Sequence, residues 1–282
     1  MTTARVKWPK YPTRGNAVGH CNICATPGLL TDDHIPPKGV PKVSTMRMHQ
    51  LFRVLGDGVV PPSGRQAQGG VQFRTLCTTC NSDRLGLRYD PELIQMATAV
   101  DRFLSALKAG MVVPSYTFVR LRPQRVLRSV VGHALAGALQ RISDGDWDKE
   151  LVEYFLNPSL SFPAGARVHY WVYPFQHQVI VRDASYASVL ECDKGENPTL
   201  FMCLKFYPLA FLIADARDSN YRFNLPCLSD HGAVDLDAEI DLPIHLKSLP
   251  SETWPEAPSR QHMVVYGGDP LFASKAYDRV KS

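Results

Sequence analysis

Two Cys-x-x-Cys pairs, Cys21/Cys24 and Cys77/Cys80, bracket an Asp-His pair, Asp33 and His34, and an asparagine, Asn81, directly follows the last cysteine. Pairs of this kind, here with 52 residues between them, have the spacing of a tetrahedral zinc site built from two knuckles. The metal would close a loop that holds the other two motifs on one frame. An imidazole that is neutral near pH 7 can accept a proton from water, and carboxylate and amide oxygens suit a hard divalent cation such as Mg2+ or Mn2+. A proton acceptor, a water and a cation that stabilises charge on a leaving oxygen are what phosphodiester hydrolysis needs. On a strand, Asp33 and His34 would point to opposite faces, one toward an ion and the other toward the water.

The elements that must position these residues follow from the flanking sequence. Pro36 and Pro37 end any strand carrying Thr31 to Ile35, because proline removes a ladder donor and restricts the residue before it. Val71 to Leu76 alternates apolar and polar residues, which predicts the second strand of a hairpin leading into Cys77. Asn81 to Gly86 then opens a helix. Between the strands, Ser44 to Leu55 places Met46, Met48, Leu51, Phe52 and Leu55 at helix-like spacing, and Gly56 to Gly70 reads as a loop carrying Arg65, either lying over substrate or a variable insertion. Residues 1–19 are basic and broken by Pro and Gly, so they read as an extended arm that orders against a partner.

The order Cys-x-x-Cys, Asp-His-Ile-x-Pro, Leu-Cys-x-x-Cys-Asn and a basic residue three positions on resembles the zinc-containing HNH (ββα-metal) endonucleases. The resemblance covers residues 18–90. It implies two strands and a helix around one catalytic ion, with a separate structural Zn2+. By position, His34 would be the general base, Asp33 and Asn81 would ligate a catalytic Mg2+ or Mn2+, and Cys21, Cys24, Cys77 and Cys80 would hold the zinc. Arg84 stands where the family has lysine and would contact the phosphate backbone. Nine residues before the final asparagine the family has another asparagine that braces the histidine loop; here it is Gln72, a longer amide and a weaker candidate at the nucleic-acid site. The resemblance further implies hydrolysis to a 5′-phosphate and a 3′-hydroxyl, with DNA favoured over RNA and both open as substrate, and the rest of the chain is similar to companion domains of HNH proteins of restriction or phage defence.

Composition bounds the rest. The net charge of +4 divides into +11 for residues 1–140 and −7 for residues 141–282, so the basic half carries the motifs and suits a polyanion. No apolar run is long enough for a membrane span and the start lacks a signal-peptide pattern, which predicts a soluble, cytoplasmic protein. Amphipathic helices are expected over Pro91 to Ala109 and Pro123 to Ile142, the second approached by Arg120, Arg122, Arg125 and Arg128, which read equally as a polyanion track or a solvated face. His133 reads as a satisfied core histidine, His49 as a surface residue, and His20 as redundant beside four cysteines. Cys192, Cys203 and Cys227 read as reduced thiols. After a short acidic helix, Asp148 to Leu156, come runs rich in Val, Phe, Tyr and Ile that predict an antiparallel sheet. The expected fold is α+β: a zinc-stapled HNH unit over residues 1–90, then a helix-linked, strand-rich domain over residues 91–282 serving recognition, regulation or oligomerisation. A single cutting centre makes a homodimer or an activating partner protein a natural companion. Two further classes fit the cysteines alone, a zinc-knuckle nucleic-acid-binding module without catalysis and a zinc-stabilised scaffold, since structural zinc contributes roughly 10–16 kcal/mol to a small fold whatever else it does. The Asp-His pair and Asn81 favour the nuclease.

Overall fold

The computed structural model describes residues 12–41, 45–51, 65–107, 110–139, 146–188, 198–217, 223–247, 249–258, 262–268 and 270–275. It is an α+β fold. Among the described residues, three small antiparallel ribbons, one π-helix and three α-helices accompany a large antiparallel sheet.

The motif-bearing part begins with the ribbon β1 (Val18–His20) and β2 (Pro27–Leu29), which frames the first knuckle. Next come β3 (Thr31–Ile35), β4 (Met46–Gln50), β5 (Arg65–Ala67) and β6 (Val71–Leu76). Strand β3 pairs with β6, setting His34 opposite Gln72 and Asp33 opposite Phe73. Helix α1 (Thr79–Tyr89) is wound as a π-helix: Cys80, Leu85 and Tyr89 are its buried residues, and the Asp90 N–H reaches Leu85 O, five residues back. It runs directly into α2 (Asp90–Ala106).

Strand β7 (Tyr116–Leu121) precedes α3 (Pro123–Ala136) and α4 (Asp146–Leu156). The remaining strands are β8 (Ala166–Val172), β9 (Gln178–Ser188), β10 (Thr199–Phe206), β11 (Leu209–Asp215), β12 (Ile240–His245), β13 (His262–Tyr266) and β14 (Leu271–Lys275). The large sheet runs β5-β4-β14-β9-β10-β11-β8, with β13 also on β9. Its strands alternate between two buried faces. Met202, Leu204, Phe206, Leu209, Phe211 and Ile213 face the helices, while Phe201, Cys203, Ala210 and Leu212 face Trp254 and Phe223 on the other side. That is why these strands read as nearly continuous apolar runs.

Helix α3 is the centre of the molecule. Every residue from Val126 to Ala136 is buried, the pattern of a helix enclosed on all sides. Gly132 lets it lie close: a Cβ there would stand 2.5 Å from Phe155 of α4 and 2.7 Å from Leu85 of α1.

Several expectations are corrected. The stretch expected as a helix from Ser44 to Leu55 is strand in its described part, Met46 to Gln50. Met46 and Met48 fit a period of two as well as a helical one, and pairing with β14 at Met48↔Ala273 decides for the strand. His49 is buried there, not at the surface. The N-terminal arm is not loose where it is described: Arg74 N–H donates to Thr13 O at 3.0 Å, and Thr13 is buried against β6. Strands β7, β12 and β14 are ones the sequence reading did not name. The described part of the loop at Gly56 to Gly70 is β5 and the turn after it; its first half, Cys192 and the end of the helix at Ile142 lie outside the described residues. No helix among the described residues is long and apolar enough to cross a membrane. Strands β4 and β5, from within residues 1–90, belong to the sheet otherwise built beyond residue 166, and one apolar core runs from Cys21 to Ala273.

Candidate functional site

The two knuckles meet. The Sγ atoms of Cys21, Cys24, Cys77 and Cys80 all lie within 4.8 Å of one another, and Cys24 and Cys77 are 3.6 Å apart. Zinc held by four thiolates at about 2.3 Å in a tetrahedron needs sulfurs roughly 3.8 Å apart, so the set fits that ion. Backbone turns aim the sulfurs inward. The Ala25 N–H donates to Cys21 O at 2.9 Å and the Asn81 N–H to Cys77 O at 3.0 Å, while Ala25 takes a left-handed φ of 58° to leave the first turn.

The knuckle also caps α3. Asn22 Nδ2 donates to Leu135 O at 3.3 Å and Ala138 O at 2.7 Å, and Thr75 Oγ1 donates to Ala136 O at 2.9 Å. These bonds occupy carbonyls that a helix end leaves without partners.

Asp33 and His34 point to opposite sides of β3. His34 is half-buried on the outer side. Arg14 donates to Gln72 Oε1, which turns the Gln72 amide nitrogen toward His34 Nε2 at 2.8 Å. In that arrangement Nε2 accepts and the ring proton sits on Nδ1. Burial, then Lys38, hold the His34 pKa below its usual value against the opposing pull of Asp32, so the ring is neutral at pH 7. Asp32, on the same side, is bracketed by Arg74 at 3.1 Å and Arg14 at 3.1 Å. Arg14 and Arg74 thus share one carboxylate, Lys38 acts on the same neutral imidazole, and the face carries an excess of positive charge.

Asp33 points inward and is 2% exposed. Its Oδ2 lies 3.0 Å from His133 Nδ1, and His133 Nε2 lies 3.0 Å from Asp90 Oδ1, which also accepts from Ser129 Oγ at 2.7 Å. Burial opposes charge on His133, but Asp33 and Asp90 outweigh it and hold the pKa at about 10. Burial pushes the Asp33 carboxyl up, an effect His133 partly offsets. His133 is therefore a satisfied core histidine, and it is satisfied by a residue of the motif.

Asn81 donates from Nδ2 to Thr31 Oγ1 at 2.9 Å and to Asp32 O at 3.2 Å, tying α1 to the start of β3. With the Asp33 carboxylate held by His133 and the Asn81 amide nitrogen held by β3, these two residues do not form a seat for a divalent ion in this arrangement. Arg84 donates to Leu156 O at 2.6 Å and so caps α4. The four arginines before and on α3 do not form a free track, and only Arg120 is exposed. Arg120 and Arg122 pair with Glu239 at 2.9 and 2.6 Å, and Arg125 pairs with Asp237. Arg128 is buried, donating to Tyr154 Oη at 2.9 Å and Leu160 O at 2.8 Å. Sequence reasoning missed Arg14, Arg74 and Lys38; Arg74 was findable, because it lies two residues from Gln72 on the same side of a strand.

None of the family models, curated proteins and solved structures compared with the chain matches it. The functional reading therefore rests on the residues themselves.

Proposed function

We propose that this protein is a nuclease of the zinc-containing HNH type that hydrolyses DNA at the His34 face. The observation that carries the reading is His34 itself: a neutral imidazole with its acceptor nitrogen on the outer side of a hairpin, among Arg14, Arg74 and Lys38, on a frame stapled by four cysteines. A phosphodiester drawn to that positive face would sit beside Nε2. Water occupying the place of the Gln72 amide would lose its proton to Nε2 as its oxygen bonds to phosphorus, and cleavage of the bond to the 3′-oxygen would leave a 5′-phosphate and, once that oxygen is protonated by solvent, a 3′-hydroxyl. The guanidinium groups would hold the charge that develops on the phosphoryl oxygens. A Zn2+ on the four thiolates would fix the two knuckles. The resemblance assigns a divalent Mg2+ or Mn2+ to Asp33 and Asn81, but their engagement with His133 and β3 does not fit such an ion, so no step passes through it.

The engagement of Asp33 by His133 favours a second reading, a zinc-knuckle module that binds nucleic acid without cutting it. Cleavage of supercoiled plasmid and of labelled single-stranded DNA and RNA, with Mg2+ or Mn2+, by wild type and His34→Ala side by side, separates the two. Nicking by wild type alone supports the nuclease. Binding without cleavage by both, from protein holding one zinc, supports the module.

A further inference from the structure

Helix α2 and strand β7 flank an open groove of about 590 Å³, with Ile94, Thr98 and Arg102 on the helix side and Phe118 and Arg120 on the strand side. We propose that this groove binds an unpaired DNA strand that continues from the His34 face, an inference that rests on the nuclease reading and names the form of its substrate.

Three observations carry it. First, the ribbon shows aromatic rings to solvent where a strand of this kind normally shows polar groups. Tyr116 and Phe118 are 52% and 58% exposed, successive on one side of β7, with ring centroids 5.3 Å apart in an edge-to-face contact. His245, opposite Tyr116 on β12, adds a third ring at 6.4 Å. Bases stack on such rings whatever their sequence, but only when they are unpaired, since a duplex hides their faces. Second, the groove carries a cation for the backbone: Arg102 is exposed on the helix wall. Arg120, on the other wall, is already paired with Glu239 and supplies little further charge. Third, the groove adjoins the turn that leaves the candidate site. The turn that follows Pro37 lies on α2, so closely that a Cβ on Gly39 would stand 3.2 Å from Ile94 Cδ1. Ile94 lines the groove, and Lys38, next to Gly39, acts on His34. On the proposed path a strand leaving His34 over Lys38 would pass Ile94 toward Phe118. Met111 and Val112, in the stretch before β7, are exposed apolar side chains as well, which makes a second copy of the chain the rival occupant.

The test uses the full-length zinc-loaded protein in the His34→Ala background, with a fluorescein-labelled oligothymidylate and a labelled hairpin duplex as probes in anisotropy titrations. Phe118→Ala removes an exposed ring and Arg102→Glu reverses an exposed charge, so neither threatens folding; Val265→Ala, exposed on β13, is the control. The expected result is about tenfold weaker oligothymidylate binding for Phe118→Ala, and for Arg102→Glu weaker binding with a salt dependence shallower by about one phosphate contact, with duplex binding changed much less and the control unchanged. Unchanged oligothymidylate affinity in both variants, from a protein whose wild type cleaves DNA, overturns the groove while leaving the nuclease reading standing. Absence of any cleavage by wild type and of any binding overturns both. A monomer-dimer shift in Phe118→Ala on sedimentation, with DNA binding intact, overturns the groove and assigns the patch to self-association.

Discussion

Asp33 of β3 and His133 of α3, a hundred positions apart in the chain, are joined by a 3.0 Å hydrogen bond in the interior, and the other nitrogen of the same imidazole reaches Asp90 at the head of α2. An imidazole with a carboxylate at each nitrogen is a cation with both protons in use. It ties together β3, which carries His34, the central helix α3, and α2, which forms the groove wall. The residue next to the proposed base is thus an anchor, and His34 looks outward because Asp33 is fastened inward.

That anchor makes stability depend on pH with a definite sign. The folded-state pKa of His133 is raised from 6.5 to about 10, so its contribution is complete below pH 6.5 and is lost as pH rises toward 10. The raised Asp33 carboxyl acts in the same direction. Thermal melts of wild type should fall across that interval relative to those of His133→Gln, which lacks the titrating ring, by more than about 3 °C, the scale of 1 kcal/mol in a chain of this size. Parallel melting curves for the two proteins would show that the pair does not carry the charge.

Neighbouring residues should then separate cleanly by phenotype. Asp33→Ala leaves a buried charge without one of its partners and should cost about 3–5 kcal/mol of stability in a denaturant titration. His34→Ala, at a half-buried position on the outer side, should change stability by under about 1 kcal/mol while lowering cleavage by roughly 10²–10⁴. Equal destabilisation by both would mean that the two side chains do not face opposite ways.

Gln72 gives a finer test of the base. Its amide, oriented by Arg14, meets His34 Nε2 at 2.8 Å. Gln72→Ala, which leaves Nε2 open to water, should raise kcat or leave it unchanged with little change in KM, and a loss of rate would show that water does not take the place of the amide. A uniform rise in KM instead would make Gln72 a contact to the nucleic acid.

The zinc site predicts a folding phenotype. The knuckle caps α3 through Asn22, and α3 is the helix on which the other elements pack. Cys77→Ser, or removal of metal by a strong chelator, should therefore lower the melting temperature of the whole chain, with zinc content and helical signal lost together. Asn22→Ala, which removes only the cap, should cost about 1 kcal/mol and keep the zinc. A metal-free protein with an unchanged melt would remove the metal from the fold.

What the sequence made legible is what lies close in the chain. The cysteine pairs, the hairpin and the opposite facing of Asp33 and His34 follow from spacing and alternation, and the apolar runs of β8, β10 and β11 stand out because both faces are buried. What it hid depends on distance. His133 has no local sign that its partners are Asp33 and Asp90. Strands β7 and β12 pair at Arg120↔Asp241, far from any hairpin turn, and the arginines that resembled a polyanion track are met by Glu239 and Asp237 from an acidic loop. The +11 and −7 halves of the chain thus neutralise each other in part across that contact. Met46 to Gln50 was ambiguous because five residues cannot distinguish the two periods; only a partner strand does.

The same long-range contacts bear on how the chain can be cut. The sequence alone predicts that a fragment ending near residue 110 keeps residual, less selective cleavage. In the fold, β4 pairs with β14 along Met46↔Lys275 to Gln50↔Leu271, Asp33 bonds to His133, and Asn22 caps α3. All three partners lie beyond residue 110. Removing them would expose the apolar face of β3-β6 and leave Asp33 as a carboxylate without its cation, and four thiolates on zinc would then hold a hairpin with no core beneath it. The expected outcome for the fragment is zinc binding with a poorly dispersed amide spectrum and no cleavage, whereas extension to residue 275 should restore both dispersion and activity. A fragment that is folded and active would show that the hairpin, the knuckles and α1 suffice, and that α3 serves recognition alone.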